Sequence, residues 1–317
     1  LNSNTTASNN VSVGFRSSMV NTTGANNVVM GFFALNQNTT ANDNTAIGSY
    51  ALTANTTGSQ NTAVGANALD SNTTGSPNTA VGAQCLAAAT TGVYNTALGY
   101  QALDALTTQS FNVAIGSGAL GASNQSANTA IGHNAAHNAS SAANLVCIGT
   151  DAGNAITTGS SNTIVGRNAG TSITTGTNNS FLGAGAGSGA ANSTSNEVIL
   201  GNSSISTLRC QTQTISGLSD QRDKTAIEDL IVGLDFINTL KPRKFTWAMR
   251  EPSANDGKTQ TGFIAQELQE SVGENEYLNL VDSYNDETLH SNMGNLIPVM
   301  IKAIQELSAE VQTLKAA

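Results

Sequence analysis

The chain repeats itself at a fixed interval of 17 residues over most of its length. A unit that reads roughly N-T-A-(I/V/L)-G-x-x-A-L-x-x-x-T-T-G-S-x recurs twelve times, with one spacing of 16 and a final spacing of 18. Its marker glycines are Gly14, Gly31, Gly48, Gly65, Gly82, Gly99, Gly116, Gly132, Gly149, Gly166, Gly183 and Gly201. A period this short is typical of a solenoid, in which each unit is one coil stacked on the next.

Aligning the units reveals three columns of like residues. An apolar residue precedes each marker glycine, from Val13 to Leu200, and we call this column the glycine-flanking ladder. A leucine ladder (Leu35, Leu52, Leu69, Leu86, Leu103, Leu120) and an asparagine column (Asn44, Asn61, Asn78, Asn95, Asn112) run beside it. We expect two or three short strands per coil and asparagine amides that bond along the axis. Because so thin a coil buries little, one apolar ladder is expected to face the interior and the other a neighbouring chain, with a trimer as the assembly.

Several residues with chemical potential fall into these columns. Cys85 and Cys147 occupy alanine columns and are interpreted as small buried residues. His133 and His137 are four residues apart, but nothing else indicates a metal site. Asp70 and Asp104 share a column two rungs apart, about 10 Å, without an aromatic platform beside them. We therefore predict no metal, no cofactor and no glycosidase activity.

Charge divides the chain near residue 205. Residues 1–205 hold five acids and two bases, whereas residues 206–317 hold the other 16 acids and ten bases. The break predicts a β-solenoid shaft at 1–205, a neck or linker strand at 206–218 and a small α+β domain at 219–317. A net charge of −9 and a pI of about 4.7 argue against nucleic-acid binding. Since the sequence shows neither a long apolar run nor the basic and apolar regions of a secretory leader, we expect no membrane insertion and no signal peptide.

The last third of the chain has ordinary helix and strand patterns. Apolar residues recur at helical spacing over 227–237, and 240–247 is predicted to form a strand. The final segment predicts a coiled-coil helix, although a stripe packed on the chain's own core would look similar. Its apolar residues step alternately by 3 and 4: Ile297, Met300, Ile304, Leu307, Val311 and Leu314. The fold class is thus mainly β: a trimeric parallel β-solenoid or β-roll, followed by an α+β domain that ends in this helix.

Five motifs in this region occur in order over about residues 215–317. They are S-D-x-R-x-K, L-x-F-I-x-x-L-K-P, F-x-W, T-G-F-I-A-Q-E-L and L-I-P-x-x-I-K-A-I-Q-E-L. Together they resemble the C-terminal intramolecular chaperone domain of phage endosialidases, tail spikes and tail fibres (peptidase S74). The repeats of about residues 10–202 resemble the head repeats of trimeric adhesins and the shaft repeats of phage tail fibres. The resemblance implies a domain that trimerises, holds three shaft chains in register while they fold, and then cuts itself off.

The resemblance also implies which residues cut the chain. In the family a Ser–Lys pair acts, with the serine at the new N-terminus. Carried over, Ser219 is the nucleophile, Lys224 the general base and Leu218–Ser219 the scissile bond, with Asp220 and Arg222 as supporting residues. A lysine acts as a base only when burial or a nearby cation lowers its pKa, and Arg222 is the candidate cation, opposed by neighbouring acids. The alternative is a solvated charge cluster in which Ser219 caps a helix.

These observations predict a fibre protein of a phage tail that attaches to the host. Its single-turnover, cis-acting serine endopeptidase would release the C-terminal domain. The expected partners are two further copies of the chain, a host cell-surface receptor (a glycan or an outer-surface protein) and upstream tail or baseplate proteins. The expected location is the virion, after folding in the host cytoplasm. The alternative is a bacterial-surface trimeric adhesin with a retained, uncleaved cap; an anchored adhesin or a membrane-tethered regulator would need a membrane segment, which this sequence does not show.

Overall fold

Each of the twelve repeats contributes one short strand to a single parallel sheet in the computed structural model, which describes residues 2–205, 207–209, 219–248, 257–285 and 288–316. Strands β1 to β12 pair in chain order, and equivalent residues of successive repeats face each other. Their bounds are Val11–Val13, Val28–Met30, Thr45–Ile47, Thr62–Val64, Asn78–Val81, Asn95–Leu98, Val113–Ile115, Thr129–Ile131, Val146–Ile148, Thr163–Val165, Ser180–Leu182 and Val198–Leu200. The predicted parallel β-solenoid is confirmed. The prediction of two or three strands per coil is wrong, because turns take up the rest of each described coil.

The marker glycines lie where successive coils approach most closely. Gly65 has a φ of 142°, and a Cβ atom added to it would lie 2.4 Å from the carbonyl oxygen of Gly82. Both the backbone conformation and the contact exclude a side chain at this position. The same geometry recurs along the column, which explains why the repeat retains glycine there.

Left-handed residues turn the chain within each coil. In the third coil Asp43, Tyr50 and Leu52 have φ values of 59°, 60° and 50°. This conformation costs roughly 1–2 kcal/mol per non-glycine residue, so neighbouring coils must hold it. The N–H of Leu52 donates to the carbonyl of Ala68 at 3.0 Å, and that of Tyr50 donates to the carbonyl of Phe32 at 2.9 Å.

The solenoid interior is filled from two sides that compensate each other. Every member of the leucine ladder is fully buried, and it faces small strand residues such as Ala97 opposite Leu103. In later coils the large residue lies on the strand and the small one at the ladder position, with Ile164 opposite Gly170 and Phe181 opposite Gly187. A Cβ added to Gly170 would lie 2.5 Å from Ile164 Cδ1. The interior therefore keeps its packing by exchanging bulk between the two sides.

The glycine-flanking ladder faces away from this interior. Val13, Leu98 and Leu182 are 52%, 46% and 56% exposed. Because alternate strand residues point to the same side, the residue two positions before each member of this ladder, usually Thr or Val, lies on the same outer face. An uncharged, largely apolar stripe thus runs along the outside of β1–β12.

Asparagines bond the coils along the axis, as predicted, but the principal donor is the backbone. The Oδ1 of Asn44 accepts the N–H of Asn61 at 2.9 Å, and the Nδ2 of Asn61 donates to the carbonyl of Gly75 at 2.9 Å. A second buried column, which the sequence analysis missed, comprises Asn21, Asn38, Asn55 and Asn72. Its amides bond to one another, as between Asn72 Nδ2 and Asn55 Oδ1 at 2.8 Å. Buried amides of both columns are thereby bonded between coils, although Asn44 Nδ2 and Asn72 Oδ1 have no hydrogen-bond partner among the described residues.

The chain divides into two compact units, Leu1–Asn202 and Ser203–Ala317. Most of the predicted neck strand, at 206 and 210–218, lies outside the described residues, and 207–209 form no regular element. The second unit contains helices α1 (Leu234–Thr239), α2 (Ala265–Val272) and α3 (Leu296–Ala316). Two antiparallel hairpins complete it, β13 (Arg243–Thr246) with β14 (Thr259–Gly262) and β15 (Val281–Asn285) with β16 (Thr288–Ser291). Its small core comprises Phe236, Val272, Leu278, Leu280, Leu296 and Val299.

Two helix predictions have different outcomes. The helix expected over 227–237 occupies only 234–239, because Gly233 is not helical and Ile227 and Ile231, 62% and 84% exposed, have no core to cover. The terminal helix is present over 21 residues. Its buried side (Leu296, Val299, Ala303) packs on the domain core. The six apolar residues predicted to step by 3 and 4, which we call the α3 seam, are all exposed within the chain. The seam is therefore not a stripe packed on the chain's own core.

Candidate functional site

A single 3-10 turn sets the geometry of the predicted Ser–Lys pair. The turn spans Gln221–Asp223, and the carboxylate of Asp220 caps it by accepting the N–H of Arg222 at 2.9 Å. The N–H of Lys224 donates to the carbonyl of Gln221 at 3.1 Å and closes the turn. The chain is thereby folded back, so that residue 224 lies beside residue 219.

The turn places the two predicted catalytic side chains in direct contact. Lys224 Nζ lies 2.6 Å from Ser219 Oγ and 3.3 Å from the Ser219 carbonyl oxygen. This is the separation that proton transfer between a nucleophile and its base requires. Both side chains are exposed in the single chain. The pair has the geometry of a nucleophile and base, and their catalytic roles stay a prediction.

The supporting residues pair with each other. Arg222 Nε and Nη2 donate to the Asp220 carboxylate at 3.0 and 2.6 Å. This guanidinium holds the pKa of Asp220 below its usual value. The positive charge of Arg222 is thus countered by Asp220. The sequence-based alternative of Ser219 as a cap does not match the structure, since Asp220 caps the turn.

The structure describes only one of the two residues that flank the predicted scissile bond. Leu218, the residue predicted to precede the scissile bond, lies outside the described residues. Ser219 provides both the proposed nucleophile and the nitrogen of that bond.

Two charged contacts that the sequence analysis missed support the surrounding fold. Glu306 of α3 accepts the N–H of Leu234, the first residue of α1, at 2.7 Å. Arg243 of β13 donates to both carboxylate oxygens of Glu267 on α2, with Nε at 2.9 Å, and lowers the pKa of that carboxyl. Glu306 and Leu234 are 72 residues apart. No local spacing in the sequence signals such a contact.

The other candidate residues stay within the solenoid columns. Burial raises the pKa of Cys85 and Cys147 to about 12. Partial burial also raises the pKa of Asp70 and Asp104. His137 Nδ1 lies 2.7 Å from the carbonyl oxygen of Gly118.

The described part of the chain contains no cluster of three or more His, Cys, Asp or Glu side chains arranged to hold a metal ion. None of its helices combines the length and apolar character of a membrane span.

Comparison with known proteins identifies one similarity. No curated protein and no solved structure gives a significant match to the chain. Residues 219–276 match the family model Peptidase_S74, described as the chaperone of endosialidase. The matched segment begins at Ser219 and includes the capped turn, Lys224 and both members of the Arg243–Glu267 pair. The segment that follows the β-solenoid is therefore similar to the chaperone of endosialidase.

Proposed function

We propose that this protein is the shaft of a trimeric phage tail fibre joined to a chaperone domain that removes itself. In this proposal residues 1–205 serve in host attachment. Residues 219–317 trimerise the chain, set the register of the shaft and then cut before Ser219. The observation that best supports this proposal is the 2.6 Å contact of Ser219 Oγ with Lys224 Nζ, in a segment similar to the chaperone of endosialidase.

Two exposed apolar surfaces support the trimer. One is the glycine-flanking ladder on the outer face of β1–β12, and the other is the α3 seam. Contiguous apolar surface of this extent on a soluble protein indicates an interaction site. The seam also has the 3-4 spacing of helices that associate in coiled coils. Three copies in parallel would cover both surfaces, one in each unit.

The proposed cleavage proceeds within one chain. The Ser219 hydroxyl oxygen attacks the carbonyl carbon of Leu218, and Lys224 Nζ accepts the hydroxyl proton. Nζ then protonates the backbone nitrogen of Ser219 as the carbon–nitrogen bond breaks, which leaves an ester between Leu218 and the Ser219 side chain. Water hydrolyses the ester, so the products are a shaft that ends at residue 218 and a domain that begins at Ser219.

The order of assembly and cleavage follows from the repeat. Coils with nearly identical faces allow chains to associate one 17-residue unit out of register. Their pairing is also slow compared with helix formation. A C-terminal clamp that trimerises first fixes the register. Its later removal makes the assembled shaft hard to unfold, because the starting arrangement is no longer available.

The proposal extends to partners and location. The fibre would be part of a virion, fold in the host cytoplasm, join upstream tail or baseplate proteins and bind a host-surface glycan or outer-surface protein. A second candidate is a bacterial-surface trimeric adhesin with a retained cap. The observation that favours it is the exposure of Ser219 and Lys224, together with the pairing of Arg222 to Asp220.

The intact masses of wild type, Ser219→Ala and Lys224→Met test the proposal, with Lys241→Met as the matched control. We expect wild type and the control to yield a fragment that starts at Ser219, and the two dyad variants to stay whole. All four proteins should be trimeric by light scattering before cleavage. If every protein stays whole and trimeric, the retained cap is the better account. If wild type is monomeric, the trimeric fibre is refuted.

A further inference from the structure

The turn that brings Ser219 and Lys224 together has no support from the rest of the described chain. Residues 221–229 are exposed, and the 3-10 turn Gln221–Asp223 buries none of its residues. Among the described residues, every hydrogen bond and ion pair of residues 219–224 joins two members of that segment. Since no packing holds the turn in the single chain, the fraction of chains that form it depends on its own local bonds.

Asp220 makes the bonds that start the turn. Its backbone is extended, with a φ of −70° and a ψ of 135°, which is the usual conformation of a residue that caps a helical turn. Its Oδ1 accepts the N–H of Arg222 at 2.9 Å, and its carbonyl accepts the N–H of Asp223 at 3.2 Å. Residue 219 directly precedes this cap and residue 224 directly follows the turn. The bonds of Asp220 therefore set the distance between them.

Arg222 holds the capping carboxylate in place. Its Nε lies 3.0 and 3.1 Å from the two carboxylate oxygens of Asp220, and its Nη2 lies 2.6 Å from Oδ2. The carboxylate thus binds both the guanidinium and the backbone N–H of residue 222. A fork of guanidinium donors fixes the orientation of a carboxylate as well as its charge. Arg222 therefore stabilises the side-chain position in which Asp220 caps the turn.

The same two residues could also act on Lys224 through their charges. A free cation near Lys224 would favour the neutral amine, which is the form that accepts a proton, and an acid would oppose it. In the structure the charge of Arg222 is paired with Asp220, and the Arg222 side chain is 88% exposed. Water screens the field of so exposed an ion pair, and its two charges oppose each other at Lys224. The geometry of the turn is therefore the larger contribution.

We infer that Asp220 and Arg222 are positioning residues for the proposed cleavage, which hold the turn that brings Lys224 Nζ to Ser219 Oγ. This inference rests on the proposed function and adds two residues that act through the nucleophile and its base. A single turn forms and opens far faster than a peptide bond is cut. The cleavage rate is thus proportional to the fraction of chains in which the turn is formed. Loss of the cap lowers this fraction and leaves the chemistry of the formed pair unchanged.

The test is the cleavage rate of the full-length protein, synthesised in a cell-free system, transferred to buffers of different pH and followed by intact mass. Asp220→Ala removes the cap and the ion pair and should slow cleavage about fivefold. Asp220→Asn keeps a capping oxygen and should recover most of the rate. Arg222→Gln should slow cleavage about twofold, and Arg222→Lys, which keeps the charge but not the fork, should slow it equally. Chemical crosslinking of the same samples reports trimer formation, so that slow assembly is not mistaken for slow cleavage.

Asp223→Ala is the matched control. It removes an acid from the same turn, next to Lys224 in the chain. In the described part of the chain no hydrogen bond or ion pair involves the carboxylate of Asp223. We expect this variant to cleave within about twofold of the wild-type rate, as for an ordinary surface substitution.

The pH series separates positioning from charge. If the residues position the pair, Asp220→Ala and Arg222→Gln lower the plateau of the rate and leave the midpoint of its pH profile unchanged. If Arg222 acted through its charge, Arg222→Gln would move the midpoint to higher pH, because Lys224 would hold its proton more tightly, and Arg222→Lys would restore it.

The outcomes distinguish this inference from the proposed function. A shifted midpoint in Arg222→Gln, or equal rates in Asp220→Ala and Asp223→Ala, would overturn the positioning role and leave the cleavage intact. Should Asp220→Ala fail to trimerise, a lowered plateau in Arg222→Gln still supports the role, and an unchanged plateau refutes it. A wild-type protein that stays whole at every pH refutes the proposed cleavage, and the positioning role with it.

Discussion

Moving bulk across the interior of one coil tests whether the solenoid core is packed by matched pairs. In the coil of β10, Ile164 fills the interior and faces Gly170. In the coil of β6, Ala97 faces Leu103, and all of these apolar side chains are fully buried. The double substitution Ile164→Ala with Gly170→Leu would give the β10 coil the arrangement of the β6 coil.

The structure sets the magnitudes. Ile164→Ala alone leaves a cavity and should cost about 2–5 kcal/mol. Gly170→Leu alone places a Cβ 2.5 Å from Ile164 Cδ1, which should cost about 1–3 kcal/mol by overpacking. The φ of residue 170 is 63°, close to the 53° of Leu103, and adds about 1 kcal/mol of backbone cost. In the double variant the space is filled again. We therefore expect its loss of stability to be about 2–3 kcal/mol smaller than the sum of the losses in the two single variants.

Urea unfolding of the full chain, followed by circular dichroism, measures this coupling. All variants should carry Ser219→Ala, so that cleavage does not alter the species compared. Gly170→Leu combined with Leu103→Ala is the control, because these sites lie four coils apart and their losses should add. Additive losses in Ile164→Ala with Gly170→Leu would refute the account of matched packing.

Three further predictions concern other features of the fold. Gly82→Ala should lower stability by about 2–4 kcal/mol in thermal unfolding, because its Cβ would lie 2.4 Å from the carbonyl oxygen of the next marker glycine. At pH 8 iodoacetamide should leave Cys85 and Cys147 unmodified in the native protein and alkylate both in urea, as mass spectrometry would report, since burial raises their pKa to about 12 and keeps the thiols protonated. Glu306→Gln should speed hydrogen exchange at the Leu234 amide, because a neutral amide oxygen is a weaker acceptor than a carboxylate.

Each of these predictions has a contradicting result. Gly273→Ala, with a φ of 52° and open space around it, should cost only about 1 kcal/mol. An equal loss in Gly82→Ala would show that the contact between coils does not matter. Native alkylation of either thiol would contradict its burial. Unchanged exchange at Leu234 would show that Glu306 does not hold α1.

The sequence predicts the solenoid well because its contacts are periodic. A residue's neighbours are its equivalents one repeat away, so the columns of the alignment are also the columns of the fold. The leucine ladder and the asparagine column follow directly from this, whereas the burial of the leucine ladder is known only from the structure. The number of strands per coil does not follow, because the same 17 residues close into a coil through left-handed turns that only stacking supports.

The residues of the candidate site can be predicted from the sequence, but the contacts between their side chains cannot. The resemblance assigns Ser219 and Lys224, and a spacing of five residues is compatible with their contact. Whether they meet depends on the turn that Asp220 caps. The sequence does not indicate that Arg222 pairs with Asp220, because Asp223 is also close to it and carries the same charge.

The sequence by itself determined the solenoid, its repeat period and its two apolar ladders, and the resemblance assigned the two residues of the predicted Ser–Lys pair. Only the tertiary structure decided which ladder is exposed, where α1 begins, and that Glu306 of α3 binds the first residue of α1. The physical reason is the range of the interactions. Stacking between equivalent repeats appears in the chain as a pattern, whereas a contact across 72 residues between unlike groups leaves no pattern and exists only once the chain has folded.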